Sequence, residues 1–175
     1  SGQGIVWSRT THTFQSAPTV GDASAVPFSF LVYGDQGCPS NGWGDGGTWT
    51  AAMAAREAQK ARAVHHFGDL SYAMGAAHIW DEWFGMVEAF AGSLPLMIGI
   101  GNHEYDHTVG GGGSGKDPSG DMTEGGFNPD WGNFLDDSGG ECGVPTSNRF
   151  TMPSSTAGNF SSNGVFWYSH DFGLV

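Results

Sequence analysis

Three short apolar runs along the chain each stop at a glycine, and each glycine is followed within a few residues by groups able to bind a hard cation. Phe28-Ser29-Phe30-Leu31-Val32-Tyr33 leads into Gly34-Asp35-Gln36-Gly37, and Val64-His65-His66-Phe67 leads into Gly68-Asp69-Leu70-Ser71-Tyr72. Leu96-Met97-Ile98-Gly99-Ile100 leads into Gly101-Asn102-His103-Glu104. Runs of this length predict strands covered on both faces, over residues 28–33, 64–67 and 96–100. Between the first two, an alanine-rich stretch predicts a helix over 49–63, with Thr48 as its cap. Between the second and third, Trp80, Trp83, Phe84, Val87 and Phe90 recur at spacings of three and four, with Asp81, Glu82 and Glu88 on other faces. That pattern predicts an amphipathic helix over 79–90 whose aromatic stripe is core. Pro95 blocks its continuation. The order β-α-β-α-β with helix-length crossovers implies parallel pairing and an α/β fold, with the ligand crevice outside the carboxyl ends of the strands.

The flanks are less regular. Residues 4–14 alternate weakly and predict a strand, and 15–27, with Pro18, Gly21 and Pro27, read as a linker. A lone strand cannot bury its own face, so residues 1–14 are expected to be the end of a preceding β domain. Residues 108–126 form a glycine-rich loop that shares only composition with a phosphate-binding loop, since no strand enters it and Lys116 is misplaced for that role. Residues 131–135 predict a helical turn, 141–145 a turn and 165–169 a strand that would hold His170 at its end. The opening Ser1-Gly2-Gln3 and the ending inside an apolar run read as an excised piece.

Composition narrows the class. The 175 residues, 38% hydrophobic with seven Trp, suffice for one packed domain. Eighteen acidic against six basic residues give a net charge of −12, which argues against nucleic acid or an anionic membrane as a partner. No stretch is long and apolar enough to span a bilayer. Cys38 and Cys142 lack the spacing of a sulfur metal site; a disulfide between them and two free buried thiols are both compatible with the sequence. Asn159-Phe160-Ser161 is a glycosylation sequon in a polar loop, which favours a secreted or extracellular setting, the vacuole and cell wall included.

The chemistry lies in the strand-end residues. Asp35, Asp69, Tyr72 and Asn102 are oxygen donors, with His103 and Glu104 beside them. A carboxylate such as Asp69 can bridge two cations, and a pair of cations clamps the attacking and leaving oxygens in phosphoryl hydrolysis. A phenol of pKa about 10 binds as phenolate only to a strongly Lewis-acidic ion, so Tyr72 points to a trivalent metal. Singly, each residue has a structural reading: an aspartate after a strand caps a turn, and a tyrosine packs in the core. Three such motifs in order are far more specific. His65 and His66 read as core histidines of the second strand, and His12 and His78 as surface; Cys38 and His107 flank the site without matching a ligand.

Asp35-x-Gly37, Gly68-Asp69-x-x-Tyr72 and Gly101-Asn102-His103-Glu104 together resemble the first three blocks of the purple acid phosphatases, within the calcineurin-like metallophosphoesterases. Gly139-Gly140-Glu141-Cys142-Gly143-Val144-Pro145 and Trp167-Tyr168-Ser169-His170-Asp171-Phe172-Gly173 resemble its large plant and algal members. The resemblance implies half of a metallophosphoesterase sandwich, residues 28–175 being the N-terminal part of the catalytic domain. It implies that residues 1–14 are the last strand of a fibronectin-like domain. It further implies Fe(III) held by Asp35 and Tyr72, with Asp69 bridging to a second divalent metal (Zn, Mn or Fe) held by Asn102. His103 would contact the phosphate or protonate the leaving alcohol, and Glu104 would support the ligands from behind. A metal-bound hydroxide would attack a phosphate monoester. Three further histidine ligands of the family have no counterpart here, so the chain alone is expected to be inactive without the missing half. The competing expectation is a non-enzymatic module of the same fold with a binding or structural role; a homodimer or larger extracellular assembly is compatible with either.

Overall fold

The computed structural model describes residues 11, 13–14, 16–42, 44–105, 138, 141, 143–155 and 162–174. The expected strand over 4–14 and turn over 131–135, together with His12, His107, Cys142 and Asn159, lie mostly or wholly outside the described residues.

Three parallel strands, β1 (Phe30–Tyr33), β2 (Ala63–His66) and β3 (Leu96–Ile98), form a sheet in the order β1-β2-β3. Phe30 stands opposite Ala63, and Val64 opposite Leu96. Helices α1 (Gly46–Ala58) and α2 (Ala77–Ala91) are the crossovers and pack on each other. Sequential strand order with the right-handed crossovers that parallel connections almost always take would put both helices on one face, consistent with their mutual packing.

The core fills the space between that face and the helices. Trp80, Trp83, Val87 and Phe90 of α2 are buried with Ala54 and Ala58 of α1 and with Val64 and Ile98 of the sheet. Each large apolar side chain so buried contributes about 1.5–3 kcal/mol. The aromatic stripe of α2 is therefore core, as its spacing predicts. The other face of the sheet carries Phe30, whose ring lies 4.9 Å from His65 and 5.1 Å from Phe172. His170 stacks on His65 at 5.3 Å, and Tyr168 donates its hydroxyl to Ile98 O at 2.8 Å. Residues near the end of the chain thus fold back over β1 and β2.

Several boundaries differ from expectation. Strand β1 starts at Phe30 because Phe28 instead packs its ring on Phe30 and Phe172. Helix α1 begins at Gly46, so Thr48 lies within its first turn, and its hydroxyl faces Met86 Sδ rather than capping. The same helix ends at Ala58, because Lys60 N and Ala61 N close turns onto Glu57 O and Ala58 O and free Ala63 to pair with Phe30. Strand β3 ends at Ile98, where Gly99 N still reaches His66 O at 2.7 Å. The expected turn at 141–145 runs into a short helix, α4 (Val144–Arg149), with a left-handed Gly143 before it and Pro145 in its first turn. No strand forms over 165–169: Val165 sits in a turn and is buried, so its apolar neighbours pack as a coil. His170 is accordingly not in a strand. A small antiparallel pair, β4 (Ser154–Ser155) with β5 (Ser162–Asn163), precedes it.

His66 is completely buried, with its ring 4.5 Å from Tyr33 and 5.8 Å from Trp83 and neither nitrogen hydrogen-bonded. Burial pushes its pKa down to about 4, the Asp35 charge opposing. The unfolded chain, with an ordinary histidine near 6.5, then binds a proton that the folded chain refuses. Stability contributed by neutral His66 is complete above about pH 6.5 and declines as pH falls toward 4, by about 3 kcal/mol in all. Urea denaturation of wild type and His66→Phe at pH 7 and pH 4.5 checks this: the variant should lose markedly less stability on acidification, and equal losses would exclude His66 as the source.

Candidate metal centre

Past the ends of the strands the backbone keeps pairing. Asp35 N, Gln36 N and Gly37 N donate to Gly68 O, Asp69 O and Leu70 O at 3.2, 3.0 and 2.8 Å. The first and second motifs are thereby zipped in register. The third is joined through a side chain. Glu104 lies in α3 (Asn102–Tyr105) and is fully buried; its carboxylate accepts from Asp69 N at 2.8 Å, Leu70 N at 2.7 Å and Gly101 N at 3.0 Å. Burial pushes Glu104 up to about 7, while the Leu70 and Gly101 amides pull it down.

Close approach explains the glycines. Gly68 adopts φ 103°, and a Cβ there would stand 2.5 Å from Gly101 N. A Cβ on Gly101 would collide with the carboxylate of Asp69. The second and third motifs can touch only if both positions lack side chains.

Asp35, Asp69 and Tyr72 converge. All three have positive φ, at 54°, 53° and 56°, a region L-residues occupy at a cost of about 1–3 kcal/mol each. The Tyr72 hydroxyl lies 3.2 Å from Asp35 Oδ1 and 3.3 Å from Asp69 Oδ2. Asp69 Oδ1 accepts from His103 N at 3.3 Å, and the His103 ring lies 4.0 Å from the Tyr72 ring. Burial raises Asp69 above the usual carboxylate range. Burial first, then the charges of Asp69 and Asp35, holds the Tyr72 phenol well above the ordinary tyrosine range. Asn102 opens α3 directly after Gly101, half-buried at the same end of the sheet.

This donor set fits a hard cation. Two carboxylates and a phenol share one point, and the ion pairs found among the described residues, Arg56–Glu57 and Lys60–Glu57, lie away from it on α1 and its C-terminal turn. Among the described residues no group of three His, Cys, Asp or Glu side chains could hold a metal ion. The cluster thus depends on its phenol and amide, and it is a partial set. Cys38 takes no part: its buried thiol donates to Ser71 O and Ile79 O at 3.5 and 3.6 Å, and burial, with Glu82 adding to it, pushes it up to about 12. It is a free thiol in the structure. His65 and His66 stay in β2, and His78 is exposed, as expected.

A parallel sheet with hard oxygen donors at its carboxyl edge is the arrangement of a metallophosphoesterase. No family model matches the chain. Individual proteins do. A probable inactive purple acid phosphatase 27 of Arabidopsis thaliana is 32% identical over 97% of the chain and 24% of its own length. A nucleotide pyrophosphatase/phosphodiesterase of Hordeum vulgare is 30% identical over 97% of the chain and 40% of its own length. The solved structure of a purple acid phosphatase from yellow lupin (Lupinus luteus) seeds superposes with a TM-score of 0.62 at 28% identity, over 91% of this chain and 24% of that one. The chain is thus similar, over nearly its whole length, to purple acid phosphatases. It spans about a quarter of the length of several of the curated relatives it matches.

One residue of the surroundings escapes the sequence pattern. Glu141, in a stretch that reads as a turn and resembles the family but carries no assigned role, accepts from Gly75 N and Trp80 Nε1. Its one signal is that a buried indole needs an acceptor.

Replacing Glu104 by alanine would strand three N–H groups, that of Leu70 buried and those of Asp69 and Gly101 part-buried. Each unsatisfied donor costs about 1–3 kcal/mol, so Glu104→Ala should destabilise by roughly 3 kcal/mol or more in urea denaturation. A loss below about 1 kcal/mol would show that Glu104 does not staple the two motifs.

Proposed function

We propose that this chain supplies the Asp35, Asp69, Tyr72 and Asn102 portion of a dinuclear metal centre that hydrolyses phosphate monoesters. The observation that carries the reading is the Tyr72 hydroxyl within 3.2 and 3.3 Å of the carboxylates of Asp35 and Asp69. Asp35 and Tyr72 would hold a trivalent iron, Asp69 would bridge, and Asn102 would hold a second ion, zinc, manganese or iron. When bound, such ions polarise a phosphoryl oxygen and make water a nucleophile near neutral pH.

The chain's own residues do the rest. Asp35 and Asp69 would hold the cations, and positive charge gathered there would let a chain with a net charge of −12 receive an anionic substrate. Glu104 fixes the spacing between Asp69 and the start of α3. His103, against the Tyr72 ring, would contact the phosphate or hand a proton to the departing alcohol. The remaining donors would come from a longer catalytic domain. A secreted or vacuolar setting suits the Asn159 sequon. The barley relative's name extends the candidate substrates to nucleotide esters.

The competing reading is a module of this fold with no catalysis; several relatives are named probable inactive purple acid phosphatases. The two readings separate in the longer protein that carries this segment, loaded with ferric iron and zinc. We expect visible absorption from Tyr72 and hydrolysis of p-nitrophenyl phosphate. Tyr72→Phe should abolish the absorption. Asp69→Asn should lower hydrolysis by more than about 100-fold, the loss expected for even a supporting residue of a metal site. A colourless, iron-replete wild type would sink the phenolate assignment, and a coloured protein without hydrolysis would favour the non-catalytic reading.

A further inference from the structure

The loop that delivers Asp69 and Tyr72 is strained along its length. Asp69, Tyr72 and Met74 have φ of 53°, 56° and 51°, and Gly68 and Gly75 have 103° and 82°. Non-glycine residues in this region persist only where the surroundings over-determine them. Glu104 holds the near end through Asp69 N and Leu70 N. At the far end, Glu141 Oε1 accepts from Gly75 N at 3.2 Å and from Trp80 Nε1 at 3.1 Å, with Oε2 3.3 Å from the same indole nitrogen. One carboxylate therefore ties the end of the loop to the first turn of α2.

Glu141 is itself anchored. It is buried, its N–H donates to Ser138 Oγ at 3.1 Å, and its carbonyl accepts Val144 N at 2.9 Å, next to α4. Arg149, on α4, lies over the Trp80 ring at 5.3 Å and so closes the group from the outside.

We propose that Glu141 is a positioning residue for Tyr72: by clamping Gly75 to Trp80 it fixes where the loop turns into α2, and so keeps the phenol between Asp35 and Asp69. The inference rests on Tyr72 being a metal ligand, and the chain has four tyrosines, so the geometric half can be tested without metal.

Ring-labelled tyrosine NMR of the wild type, Glu141→Ala and Glu141→Gln, with Tyr72→Phe to assign the signals, reads the position directly. Glu141→Ala should shift the Tyr72 ring signals away from their position against His103, while Tyr33 and Tyr168 stay in place. Glu141→Gln keeps an oxygen that can accept from both donors and should restore the wild-type signals. Unmoved Tyr72 signals in a folded Glu141→Ala, or all four tyrosines moving together, would overturn the proposal. Should that variant not fold, Glu141→Asp keeps the charge but withdraws the carboxylate from Gly75 and is judged by the same criterion. Ferric titration followed in the visible then adds the functional arm: Glu141→Ala should bind iron about 10-fold more weakly, with Glu141→Gln near wild type. A wild type with no ferric band counts against Tyr72 as ligand and leaves the ring-shift result to decide the positioning role by itself.

Discussion

The Glu104 carboxylate is the point on which the site depends. Its two oxygens accept from three backbone amides that belong to two separate motifs, Asp69 and Leu70 after β2 and Gly101 after β3. Parallel pairing alone brings strand ends side by side, but it stops at Ile98 on β3. Beyond that, only a buried acceptor can hold the two loops at hydrogen-bonding distance. A carboxyl group that accepts from three backbone donors engages both of its oxygens and so holds the two loops in one geometry.

That joint makes the backbone strain tolerable. Asp35, Asp69 and Tyr72 all occupy the left-handed region, together costing several kcal/mol. Two devices offset this: the ladder from Asp35, Gln36 and Gly37 onto Gly68, Asp69 and Leu70, and the pair of buried carboxylates at either end of the second loop. Glycines at 68 and 101 let the loops touch. The result is a rigid edge on which three oxygen donors share one point, in a sheet whose other residues are ordinary core.

Much of this was legible in the chain, and the exceptions have physical causes. The strands, both helices and the aromatic stripe of α2 follow from periodicity, because burial on a regular element repeats at its own spacing. Asp35, Asp69 and Tyr72 stand out in the sequence because each follows a strand-like run, and the structure brings them together. Thr48 misled because capping propensity marks candidates, while the helix starts where Gly46 and Gly47 can pack; Gly47 lies so close to Gly37 O that a Cβ would not fit. Val165, Phe166 and Tyr168 look like a strand because they are apolar, yet they find burial as a coil with the Tyr168 hydroxyl on Ile98 O. The role of Glu141 could not be read from the chain: its partners, Gly75 and Trp80, are far from it in sequence, and no spacing rule relates them.

The charges at this edge give the functional reading its physical weight. Two aspartates that point at one phenol repel each other, and burial already raises the proton affinity of both Asp69 and Tyr72. The ion pairs found among the described residues lie elsewhere, with Glu57 taking both Arg56 and Lys60 at and just beyond the end of α1. A fold selected only for stability would relieve such a cluster with a lysine, or replace Tyr72 by phenylalanine and one aspartate by asparagine. Instead, the strained backbone and two buried glutamates are arranged to keep the oxygens together. Oxygens held together in this way leave their mutual repulsion uncompensated within the chain, and a bound cation is the kind of partner whose charge would offset it.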